Sequence, residues 1–142
     1  MKAVNGVATF ATLTLNRSGT GYTLNAYAPG LRGATSVAFN VGAGPAAQLG
    51  FLVQPSQSGA GLAMSPAVQV VVEDAAGTTA PTATNSVTLA IGANPGGATL
   101  SGTTAVAAVG GIATFSTLSL DKTGTGYTLV VSAAGLTGAT SP

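Results

Sequence analysis

The stretch Gly6–Ser36, GVATFATLTLNRSGTGYTLNAYAPGLRGATS, returns about 105 positions later as Gly111–Ser141, GIATFSTLSLDKTGTGYTLVVSAAGLTGATS. Roughly two-thirds of the paired positions are identical. Most of the rest are mild exchanges, such as Val7 for Ile112, Asn16 for Asp121, Arg17 for Lys122 and Ser18 for Thr123. Two stretches this similar are expected to share a fold, and the period is about that of one small β-domain. The chain is therefore expected to be phased across repeats. Residues 1–44 read as the C-terminal part of one repeat, about three strands, with a linker, and residues 45–142 as the next repeat without its last strand. Gly42-Ala43-Gly44-Pro45 falls at the join, where Gly and Pro suit a short link better than a strand.

Working outward, alternation of apolar and polar residues marks half-buried strands. Leu49, Phe51 and Val53 share a face, as do Val68, Val70 and Val72, then Val87, Leu89 and Ile91, and finally Tyr127, Leu129, Val131 and Ala133. The spacing predicts six strands in the second unit, near 48–54, 67–73, 84–91, 98–108, 111–120 and 125–133. The first unit is expected to end on a strand bearing Val37, Phe39 and Val41. Between Phe115 and Leu118, as between Phe10 and Leu13, the phase slips, which predicts a bulge in both copies. Asp74-Ala75-Ala76-Gly77 and Asn94-Pro95-Gly96-Gly97 carry turn chemistry. A complete repeat then holds about seven strands, the number of a Greek-key sandwich, and the fold class is read as all-β, with Ig-like β-sandwich repeats.

Composition narrows function. Charged residues are 5% of the chain, against a usual share of about 25%, and the net charge is +1, so no basic field invites nucleic acid or an anionic membrane. There is no Cys and no His, which removes disulfides, thiolate chemistry and imidazole bases. No apolar run approaches a membrane span, and the opening Met1–Leu15 reads as a strand rather than a signal peptide, because its counterpart recurs deep in the chain.

Several segments resemble the bacterial Ig-like repeats of large surface adhesins and invasin-like secreted proteins. They are Phe51-Leu52-Val53-Gln54-Pro55-Ser56, Ser65-Pro66-Ala67-Val68-Gln69-Val70, the Asp74–Gly77 turn and Gly126-Tyr127-Thr128-Leu129. The order Gly111-Ile112-Ala113-Thr114-Phe115, Leu118-Ser119-Leu120 and Gly135-Leu136 belongs with them. What the resemblance implies is a non-catalytic spacer or adhesive module, extracellular or on the cell surface. Its implied partners are neighbouring repeats or other copies, or a host glycan or protein.

Individual residues fit that reading. Tyr22 and Tyr127 occupy one position in the two copies, where sandwich domains place a tyrosine whose hydroxyl bonds nearby backbone. Tyr27 falls on the opposite phase and is expected to face outward, the one named candidate for partner contact. Glu73, Asp74 and Asp121 are the only acidic side chains, too few for a carboxylate-rich metal site, and Asp74 is read as a turn residue. Ser and Thr lack an imidazole base, and the Gly clusters lack the spacing of phosphate loops. No catalytic, cofactor or metal residues are expected. A strand bearing Val37, Phe39 and Val41 is expected to suit exchange into another copy, giving a self-assembling fibre subunit as the alternative to a spacer.

Overall fold

The computed structural model describes all 142 residues and divides into two compact units, Met1–Gly42 and Ala43–Pro142. In the first unit, β1 (Gly19–Tyr22) pairs antiparallel with β4 (Phe39–Val41), and β2 (Asn25–Ala26) with β3 (Ala34–Thr35). Thus one long hairpin, interrupted near Leu24 and Ser36, accounts for all four strands. Its interruption is bridged by a reciprocal bond: the Ser36 N–H donates to the Leu24 carbonyl, and the Leu24 N–H donates to the Ser36 hydroxyl oxygen.

The second unit is a β-sandwich. Its strands are β5 (Ala46–Val53), β6 (Val68–Asp74), β7 (Ser86–Ile91), β8 (Leu100–Ser101), β9 (Ala105–Ala107), β10 (Ile112–Phe115), β11 (Ser119–Leu120), β12 (Leu129–Ser132) and β13 (Ala139–Thr140). One sheet has the order β10-β6-β5, the other β13-β12-β7-β9, and β11 with β8 forms a short ribbon. All the ladders are antiparallel. The exception outside them is a parallel bridge from Gln48 to Thr137, which sets β13 beside the first strand. Val68, Val70 and Val72 from one sheet meet Val87, Leu89, Leu129 and Val131 from the other, with Phe115 and Leu118 filling the middle. These side chains alternate with exposed Ser86, Thr88 and Ala90, as a sheet with one wet face requires.

Two expected features take a different form. The phase slip between Phe115 and Leu118 is a change of partner rather than a bulge: β10 pairs with β6, and three residues later β11 pairs with β8. Both Phe115 and Leu118 can thereby point inward. The strand expected over 98–108 breaks into β8 and β9 at Gly102, whose φ of +101° is closed to other residues and whose Cα faces the Thr117 carbonyl. In the first unit the equivalent of β10 and β11, residues 7–15, forms no regular strand. The ladders that hold β10 and β11 come from β6 and β8, and the first unit contains no strand corresponding to either.

Correspondence between the copies extends to backbone geometry. Val4 and Val7 are bridged across Asn5-Gly6, with φ of +49° and +80°, and Val109 and Ile112 across Gly110-Gly111, with +61° and +80°. Two positive φ values in a two-residue loop are the mark of a type I′ hairpin turn. The Leu24–Ser36 device recurs between Leu129 and Ser141, with both bonds at 2.8 Å.

Candidate functional site

The residues expected to carry partner contact are dispersed. Tyr27 stands on the outer side of the hairpin, 83% exposed, its ring lying over Gly33. Val37 is also exposed, whereas Phe39 and Val41 are half-buried in the pairing of β4 with β1. There, Tyr22 faces Phe39 with ring centroids 6.2 Å apart, and the Gly21 N–H donates to the Asn40 side-chain oxygen at 3.1 Å. Tyr22 and Tyr127 each donate a hydroxyl hydrogen bond to backbone upstream, to the carbonyls of Arg17 and Thr123 respectively.

The acidic residues are committed to turns. One Asp74 oxygen accepts from the N–H groups of Ala76 and Thr78, and the other accepts from the Gly44 N–H at 2.8 Å. These bonds, that of Thr78 first and that of Gly44 next, hold the carboxyl below its ordinary pKa against the opposing effect of burial. Asp121 accepts from the Thr99 N–H at 2.6 Å, which with the neighbouring Lys122 charge lowers its pKa too. Lys122 donates to the Gly97 carbonyl at 2.8 Å, so Asp121 and Lys122 tie one turn to another. No three acidic residues come together as a metal site.

The one substantial concavity is a groove of about 380 Å³ in the second unit. One wall is Pro55–Ala60, following β5, the opposite wall is Lys122–Tyr127, leading into β12, and Pro142 stands at one end. Met64 and Leu129, both buried, and half-buried Leu120 supply its apolar floor. Its position follows from strand order. β13 lies antiparallel to β12, and the preceding Thr137 lies parallel to β5, with Leu49 N–H donating to the Thr137 carbonyl and Thr137 N–H to that of Ala47. After Ser141 the two flanking segments run on with no strand between them, and the space they enclose is the groove. In the first unit the matching path is filled: after Ser36 the chain returns as β4 on β1. The acceptor residues there, Gly19-Thr20-Gly21-Tyr22, are identical to Gly124-Thr125-Gly126-Tyr127 in the groove wall.

Sequence reasoning missed the wall at Pro55–Ala60. Alternation reports which residues share a face but not that a first strand runs parallel beside a last one. The usable signal was indirect, a turn-rich Pro55–Gly61 segment directly after an apolar strand.

No family model matches this chain, and no curated protein matches it. Among solved structures, it is similar to the β-glucuronidase of Parabacteroides merdae, at a TM-score of 0.52 and 16% identity over 77% of this chain. The same enzyme with glycerol in its active site gives 0.51 and 17%. In each case the chain spans 14% of the enzyme's length, and at this identity the likeness concerns the fold alone. No helix is long and apolar enough to cross a membrane.

Proposed function

We propose that this chain is a non-catalytic Ig-like repeat whose role is mechanical: it sets length and spacing in a surface-exposed or secreted bacterial protein. The observation that carries this reading is that the two units repeat their structural devices and not merely their residues. The type I′ turn, the tyrosine-to-backbone bond and the serine clamp recur at the same offset of 105 positions. A module repeated with its turns and clamps intact suits a tandem array, in which each unit closes its own core and a short Gly/Pro link limits reorientation. The chemistry available points the same way, since the carboxylates are spent on backbone N–H groups that shape turns. The test is a single complete unit, Ala43–Ser141 followed directly by the sequence Val37–Gly42. It should be monomeric and unfold in one cooperative thermal transition at a higher midpoint than the second unit of the original chain. Non-cooperative melting of that unit would refute a self-contained module.

A further inference from the structure

We propose that the groove between Pro55–Ala60 and Lys122–Tyr127 takes the β4 segment, Ala38–Val41, from a second copy of this chain as an added strand. This stands independently of the spacer role. The first unit supplies the template for the pairing. Gly19 lies opposite Val41 and Tyr22 opposite Phe39, and the Gly21 N–H is met by the Asn40 side chain. With the same four acceptor residues in the groove wall, the same register sets Val41 of the incoming strand against Gly124 and Phe39 beside the Tyr127 ring. Asn40 then meets the Gly126 N–H. Gly126 has φ +80°, close to the +75° of Gly21, so the acceptor backbone is already shaped as it is when β4 is bound.

The groove is the better seat for this strand. On β1 the segment has one neighbouring strand, and Phe39 and Val41 stay only half-buried. In the groove it gains a second wall from Pro55–Ala60 and a floor that includes Met64 and Leu129. Strand addition of this kind joins main-chain hydrogen bonds to burial of alternate side chains.

A molecule cannot fill its own groove this way. From Val41 to Ala46 the link covers at most about 18 Å fully extended. β5 carries the chain on from Ala46 to Val53 at roughly 3.3 Å per residue, about 23 Å, before the wall at Pro55 begins. The donor is therefore another copy. Because donor and acceptor are different surfaces, the contact is head-to-tail and does not close at a dimer.

The experiment has two arms. In the first, a capped synthetic peptide of sequence Ser36–Gly42 is titrated into the ¹⁵N-labelled 142-residue chain. Saturable amide shifts confined to Ser56–Ala60 and Lys122–Tyr127 are expected, with about tenfold or greater weakening when the peptide carries Phe39→Ala. In the second, light scattering of the full chain should show a mass that climbs past a dimer with concentration, and Phe39→Ala in the chain should move that rise to at least about tenfold higher concentration. The peptide arm stands even where the chain variant disturbs the first unit. Absence of saturable binding, or shifts mapping elsewhere, overturns the strand site. Peptide binding together with a full chain that stays monomeric throughout the series overturns a second copy as the occupant.

Discussion

Phe10 and Phe115 are the same residue in the same motif, Ala-Thr-Phe, and their truncation should have opposite consequences. Phe115 is fully buried, 0% exposed, among the valines of both sheets, whereas Phe10 is 56% exposed. Replacing a buried Phe by Ala removes its transfer free energy and leaves a cavity that the sheets cannot close, which costs about 3–5 kcal/mol. In a domain of this size each kcal/mol moves the thermal midpoint by about 4–8 °C, so Phe115→Ala should lower it by roughly 12–40 °C. Phe10→Ala removes surface that is already largely wet and should change stability by no more than about 0.5 kcal/mol. The assay is differential scanning calorimetry of the two variants beside the parent, with far-ultraviolet circular dichroism to confirm β-structure before the transition. A similar loss for both variants would refute the assignment of distinct environments to the two copies. So would a Phe115→Ala shift of less than about 4 °C, the equivalent of 1 kcal/mol.

Further outcomes follow from the turns and clamps. In the Gly110-Gly111 turn, Gly110 has open space where a side chain would sit, while a Cβ on Gly111 would lie 2.5 Å from the Ala80 carbonyl oxygen. Gly110→Asn, which copies Asn5, should therefore cost no more than about 0.5 kcal/mol in urea unfolding, and Gly111→Ala at least about 1–2 kcal/mol. Ser141→Ala strands the buried Leu129 N–H and should cost about 1–3 kcal/mol by the same measurement. Asp74 has a native pKa below its unfolded value, so the stability it contributes is present above about pH 4 and is lost as pH falls through the lower native value. Asp74→Asn should flatten the fall in thermal midpoint across that acidic range while lowering the midpoint at neutral pH. An unchanged acid dependence would show that Asp74 does not govern it.

Much of the fold was legible because its signals are local. Alternation located the strands that carry Val68–Val72 and Val87–Ile91, since each has one neighbour-facing and one outward side. The turn at Asp74 was legible because an aspartate at that position closes its own hydrogen bonds to Ala76 and Thr78. Features set by distant partners were not. The Phe115–Leu118 slip has the same local pattern whether the strand bulges or changes sheets, and only β6 and β8 decide between them. Likewise, residues 7–15 carry nearly the pattern of 112–120, yet without partner strands the same alternation builds no ladder. The groove lies at the end of this series, since both its walls are positioned by the parallel approach of β5 to the segment entering β13.

The positions at which the two copies differ bear on where any recognition resides. Residues that fix the hairpin are unchanged between them: the glycines at 19, 21, 30 and 33, Tyr22, Leu24 and Ser36 all recur 105 positions later. A run of difference sits in one strand, where Asn25-Ala26-Tyr27 stands against Val130-Val131-Ser132. Of these, Val131 is a core residue, while Ala26 at the matching position is exposed and has no opposing sheet to reach. Asn25 accepts a hydrogen bond from the Thr35 hydroxyl at 2.7 Å across the hairpin, a polar pairing that Val130 opposite Thr140 replaces with an apolar one. Tyr27 and Ser132 are both exposed, so packing leaves that position free to change. A scaffold that holds its turns and clamps constant while varying an outward strand face confines partner specificity to that face. Exchange of Tyr27 and Ser132 is accordingly expected to leave both thermal midpoints unchanged and to alter only what the surface retains.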